Sequence, residues 1–114
     1  MLEPGNKILI SHRRLFDKDA PRFFVGEVLD YQAGIVKVSG YSFVREMTSG
    51  EVLRKDDPRI KLISITSGMV LLYQLPDETE VSAVAFESQD GDTRLTDGKH
   101  VNMNMSELPH GGHL

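Results

Sequence analysis

Apolar residues in this chain come in short runs, and turn residues interrupt them roughly every 8–14 positions, the spacing of an all-β sandwich or barrel. Lys7–His12 carries Ile8, Leu9 and Ile10 in one buried run, and Phe23–Tyr31 carries Phe23, Phe24, Val25, Val28 and Leu29. In Ile35–Val44, side chains on a strand alternate, so Val36 and Val38 share one face while Ile35, Tyr41 and Phe43 share the other. Arg59–Thr66 sets Ile60 and Leu62 opposite Ile63 and Ile65, and Met69–Leu75 is apolar on both faces, which predicts a strand covered on each side. Val81–Glu87 follows as a further strand. Lys99–Met105 alternates His100, Asn102 and Asn104 with Val101, Met103 and Met105, a half-buried pattern. Asp90-Gly91 and Asp97-Gly98 supply the positive φ that tight hairpins need. The polar stretch Arg45–Pro58 reads as a long loop or mobile hairpin. Leu15–Ala20 and Pro76–Glu80 are the two stretches open to a helix, and neither has a helix-length apolar period. These elements predict a single domain over residues 1–108 and a disordered tail over 109–114.

Composition adds little to that picture except in its charge. Hydrophobic residues at 39% and charged residues at 26% are ordinary for a globular domain, and 114 residues suffice for one core. There are no cysteines, which excludes disulfides, thiol catalysis and cysteine-ligated zinc. Met1–Lys7 lacks a basic segment followed by an apolar run, so no signal peptide is expected, and the apolar runs are far too short to span a membrane. A cytoplasmic location without a membrane partner is the resulting expectation. Residues 7–62 hold 11 Lys/Arg against 8 Asp/Glu, whereas residues 63–114 hold 2 against 8. A basic front half can face phosphates that the acidic back half repels.

No motif for chemistry stands out. There is no Gly-x-x-x-x-Gly-Lys, Gly-x-Ser-x-Gly or His-Glu-x-x-His, so neither an enzyme nor a cofactor is expected. His12-Arg13-Arg14 at a strand end has the residue types for phosphate, or is a set of charged heads held in water. Arg22, Arg45, Arg54, Lys55, Arg59 and Lys61 add positive charge, and Tyr31, Tyr41 and Phe43 read as core aromatics before stacking platforms. His110 and His113 lie on a Gly-rich tail without the frame a metal needs, and Asp90, Asp92 and Asp97 read as turn chemistry ahead of a calcium loop.

Two segments together resemble the Sm and Sm-like family. Phe24-Val25-Gly26-Glu27-Val28-Leu29-Asp30-Tyr31 is similar to that family's hydrophobic-x-Gly-x-hydrophobic motif, and an interior glycine permits the bend that closes a small barrel. Ile65-Thr66-Ser67-Gly68-Met69-Val70-Leu71-Leu72-Tyr73-Gln74-Leu75-Pro76-Asp77 resembles its apolar strand, Arg-Gly turn, apolar strand and Pro-Asp exit. The resemblance spans residues 6–77. It implies a strongly bent five-stranded antiparallel barrel, here with an added C-terminal hairpin and strand, and RNA as ligand. Carried over, it places Gln32 where the family has a base-contacting Asp, Ala33-Gly34 in place of the Asn-bearing stretch, and Ser67-Gly68 in place of Arg-Gly. A serine hydroxyl neither stacks on bases nor forks to phosphate as a guanidinium does. The implied nucleic-acid-contacting set is Arg13, Arg14, Gln32, Gly34, Lys37, Ser67 and Gly68.

The family also implies assembly, with the fourth strand of one protomer pairing with the fifth of its neighbour. Ile63, Ile65, Val70 and Leu72 mark those edges here, and a homo-oligomer, as a ring or otherwise, is the expected state. In one alternative, Val81–Glu87 or Lys99–Met105 covers the edge within a monomer. Two functions follow. One is an oligomeric RNA-binding module. The other is a structural or protein-interaction barrel that assembles by strand edges and binds no nucleic acid.

Overall fold

A computed structural model describes residues 2–13, 21–46 and 48–105. The fold is all-β, with a six-stranded antiparallel sheet and a separate three-stranded one. The larger sheet is built from β1 (Lys7–His12), β2 (Arg22–Gln32), β3 (Ile35–Arg45), β4 (Val52–Arg54), β5 (Arg59–Ser64) and β6 (Val70–Leu75). Their order is β4-β3-β2-β1-β6, and β5 also pairs with β3. The smaller sheet orders β7 (Ala85–Gln89), β8 (Asp92–Thr96) and β9 (Asn102–Asn104) in sequence.

The long strands β2 and β3 bend where two glycines meet. Gly26 pairs with Gly40. A Cβ on Gly40 would stand 1.9 Å from the Val25 carbonyl oxygen, and one on Gly26 would stand 2.6 Å from that of Ser39. Gly40 is also where β3 changes partner. Ile35–Gly40 pairs with β5, and Phe43–Arg45 pairs with β4. A register shift between Val28 and Asp30 adds a β-bulge to β2, a device that bends a strand further.

Bending gives the sheet a concave and a convex face, and both are apolar. On the concave face Ile8, Ile10, Phe24, Val28, Val36 and Val38 are fully buried, and Ile63 and Ile65 pack against them from one end of the sheet while Val70 and Leu72 do so from the other. On the convex face Leu9, Phe23, Val25, Phe43, Val52 and Leu75 join Val84, Leu95, Val101 and Met105 from the C-terminal region. This explains the unbroken apolar runs Ile8-Leu9-Ile10 and Phe23-Phe24-Val25, whose neighbouring side chains feed opposite cores. Phe86 of β7 seats the second sheet, with its ring 5.2 Å from that of Phe23 and 4.9 Å from that of Phe43. Burying one such apolar side chain contributes about 1.5–3 kcal/mol.

Several sequence expectations change. The sheet is not a closed barrel, because β5 and β6 are not paired with each other among the described residues. Arg45–Pro58 contains a strand, since Val52 is drawn into the convex-face core and β4 pairs with the end of β3. Val81–Ala83 is a single 3-10 turn, and the strand starts only at Ala85. Pro76–Glu80 is a turn and not a helix, with the Thr79 N–H donating to the Pro76 carbonyl. The final strand is only Asn102–Asn104. The hairpin at Asp90-Gly91 forms as expected, with both residues at positive φ. Leu15–Ala20 and the tail 109–114 lie outside the described residues.

Candidate functional site: the open seam between β5 and β6

β5 and β6, like β4, are edge strands of the curled sheet, and Ile65–Met69 runs from β5 to β6. That connection starts against the β2–β3 turn, where the Ile65 N–H donates to the Gly34 carbonyl at 2.9 Å. It ends against β1, where the Arg13 N–H donates to the Met69 carbonyl at 2.8 Å. Ser67 braces it, with its hydroxyl donating to the Ser64 carbonyl and accepting from the Met69 N–H. Among the described residues neither edge pairs with a strand of the second sheet, whose β7 packs against β4 and sets Phe86 on Phe23 and Phe43.

The residues singled out by resemblance fall in three places. Gln32 and Gly34 lie at the β2–β3 turn and Ser67 and Gly68 within the connection, which meets that turn where Gly34 is tight against Thr66. Ala33 and Gly34 both take positive φ, so they form the tight turn joining β2 to β3. Gln32 turns to the carboxylate of Asp30, at 3.2 Å. Lys37 is elsewhere, on the convex face opposite Leu62, and Arg13 is at the far end of the connection. Arg14 lies outside the described residues. None of Gln32, Gly34, Ser67 and Gly68 carries a positive charge.

Ile63, Ile65, Val70 and Leu72 do stand on or beside the edge strands, but they point into the concave core. The side chains exposed along the edges are their neighbours. Ile60 is 63% exposed and Leu62 72%, while Leu71 is 47% and Met69 39%. The alternation was readable from the sequence, since Ile60 and Leu62 lie on the face opposite Ile63 and Ile65. Which face turned outward depended on the curl.

Sequence reasoning named the members of a third group without bringing them together. At the β1 end of the seam His12 pairs directly with Arg22, and Lys61 of β5 reaches across to place its ammonium 4.7 Å over the Phe24 ring. Burial and the nearby charges of Lys61 and Arg22 lower the His12 pKa from its ordinary value. Burial, Arg22 and Arg59 likewise lower that of Lys61. Among the described residues no carboxylate forms an ion pair with any of the three, whereas Arg59 has Asp57 at 3.8 Å.

The three aspartates of the C-terminal region do structural work. Asp90 makes the hairpin, and Asp92 accepts from Asn104. Asp97 is buried and accepts from the backbone N–H groups of Glu80, Lys99, His100 and Val101. Burial alone would raise its pKa, but these four donors hold it well below the usual carboxylate range. Among the described residues no group of three or more His, Asp or Glu could hold a metal ion, and no helix is long and apolar enough to cross a membrane. His110 and His113 lie outside the described residues. No protein-family model, curated protein or solved structure matches this chain.

Proposed function

We propose that this chain is a self-assembling β module of Sm-like type, whose copies join by pairing β5 of one with β6 of the next. The observation that carries this reading is the pair of open edges. Each edge strand has backbone hydrogen-bonding groups on one side without a strand partner among the described residues, and each presents large exposed apolar side chains. Exposed edges of this kind invite pairing. The two edges of one chain differ, so head-to-tail pairing gives a ring if the rotation closes. The strand order also suits the resemblance, which requires the family's fourth and fifth strands to be the outer ones. Here β5 and β6 hold those places, and β4 is an addition alongside the far half of β3.

Light scattering on the purified protein tests this. The expected mass is a multiple of the 12.8 kDa chain at micromolar concentration, with an interface burying more than about 1,000 Å². A monomer of 12.8 kDa at that concentration overturns it. RNA binding through Gln32, Gly34, Ser67 and Gly68 draws less support, because those residues gather no positive charge to meet a phosphate backbone.

A further inference from the structure

We propose that His12, Arg22 and Lys61 form a binding site for a phosphate-type oxyanion at the β1 end of the seam. All three lie on the concave face. His12 and Arg22 are register partners on β1 and β2, and Lys61 enters from β5 with its ammonium over Phe24, two residues from Arg22. The Phe24 ring is fully buried, so it anchors the lysine and is closed to an incoming base. The group is half-buried at His12 and Lys61 and exposed at Arg22, which leaves it open to a small anion from one side.

Burial first, and then the repulsion of neighbouring cations, lowers the proton affinity of His12 and Lys61. A fold gains nothing from such an arrangement by itself. An oxyanion placed among them reverses the sign. It accepts from the planar guanidinium and the ammonium, and it favours the protonated imidazole as a further donor. Among the described residues the other charged groups near the site are Arg13, adjacent in sequence, and Arg59, which has its own partner in Asp57. On β6, Val70 stands opposite His12 and carries no charge. A doubly charged phosphate fits this set better than a carboxylate, because more oxygens meet the donors. A phosphate monoester or the backbone of a single-stranded nucleic acid supplies the same chemistry.

The site is readable in His12 itself, with His100 as an internal control on the second sheet. Nuclear magnetic resonance follows both imidazoles as pH is varied, in inorganic phosphate and in chloride at equal ionic strength. Phosphate is expected to raise the His12 midpoint by about one pH unit, a shift typical of a new opposite charge within contact distance, and to leave His100 unmoved. In Arg22→Gln and in Lys61→Gln, each checked for a native amide spectrum, the phosphate effect on His12 is expected to shrink or vanish. Equal His12 midpoints in phosphate and chloride overturn the proposal, as does an undiminished shift in both variants. A short single-stranded oligonucleotide distinguishes the sources. Action at concentrations at least about tenfold lower per phosphate than inorganic phosphate points to a polymer backbone, as multivalent contact requires. Equal potency per phosphate points to a small phosphoester. The readout needs only the folded chain, so it is independent of assembly.

Discussion

Gly26 and Gly40 stand directly opposite one another across β2 and β3, and a Cβ on either would run into the backbone of the facing strand. The contact is closest at Gly40, where the clash is with both the Val25 carbonyl and the Gly26 Cα. Because these are main-chain atoms within a paired ladder, no side-chain rotation relieves it.

Gly40→Ala is therefore expected to destabilise the fold by about 3 kcal/mol or more, at the upper end for an overpacked core. Gly26→Ala, with its closest approaches at 2.6 Å, is expected to cost less. Urea denaturation of both variants measures the difference. A Gly40→Ala protein as stable as the parent would mean that the bend does not depend on this contact.

The edges call for a different kind of substitution. Leu62→Lys and Leu71→Lys place charge on exposed positions of β5 and β6, away from the concave core. Each is expected to lower the mass seen by light scattering while changing the thermal midpoint little, since surface substitutions usually stay within about 0.5 kcal/mol. Val70→Lys, directed inward, is expected instead to unfold the domain.

Much of this was legible in the chain. The alternation in β3, the Asp90-Gly91 hairpin and the role of Gly26 follow from period and turn chemistry. Gly40 is the partner that a single strand cannot reveal, because its meaning lies in the register between β2 and β3. The same is true of the cation group. Arg13 and Arg14 beside His12 drew notice by sequence adjacency, whereas Arg22 and Lys61 become its neighbours only through pairing and curl. β4 was missed because two of its three residues are exposed, and only Val52 reports the core.

His12 makes stability depend on pH. Its folded pKa lies below the ordinary 6.5, so the unfolded chain binds the proton more readily. Stability is then expected to rise with pH across the interval just below 6.5 and to level off above it. His12→Gln is expected to flatten that rise in a series of urea titrations between about pH 5 and pH 7, with the remaining slope coming from carboxylates.

Asp97 acts in the same sense, at more acid pH. Its folded pKa is depressed, so its contribution is complete above the ordinary carboxylate range and is lost as acid titrates the folded group. Asp97→Ala strands four backbone donors, of which that of Val101 is buried. A loss of about 2–4 kcal/mol at neutral pH is expected from those unpaired groups. Hydrogen exchange should show it first as faster exchange at Lys99, His100 and Val101.

The larger sheet is a party wall between two rooms. Phe24 furnishes one and its neighbours Phe23 and Val25 furnish the other, so a shift of the β2 backbone disturbs both at once. Neither room can be dismantled alone. The C-terminal sheet should let go in the same cooperative event as the strands it leans on, with amide protection on β2 and β8 failing together.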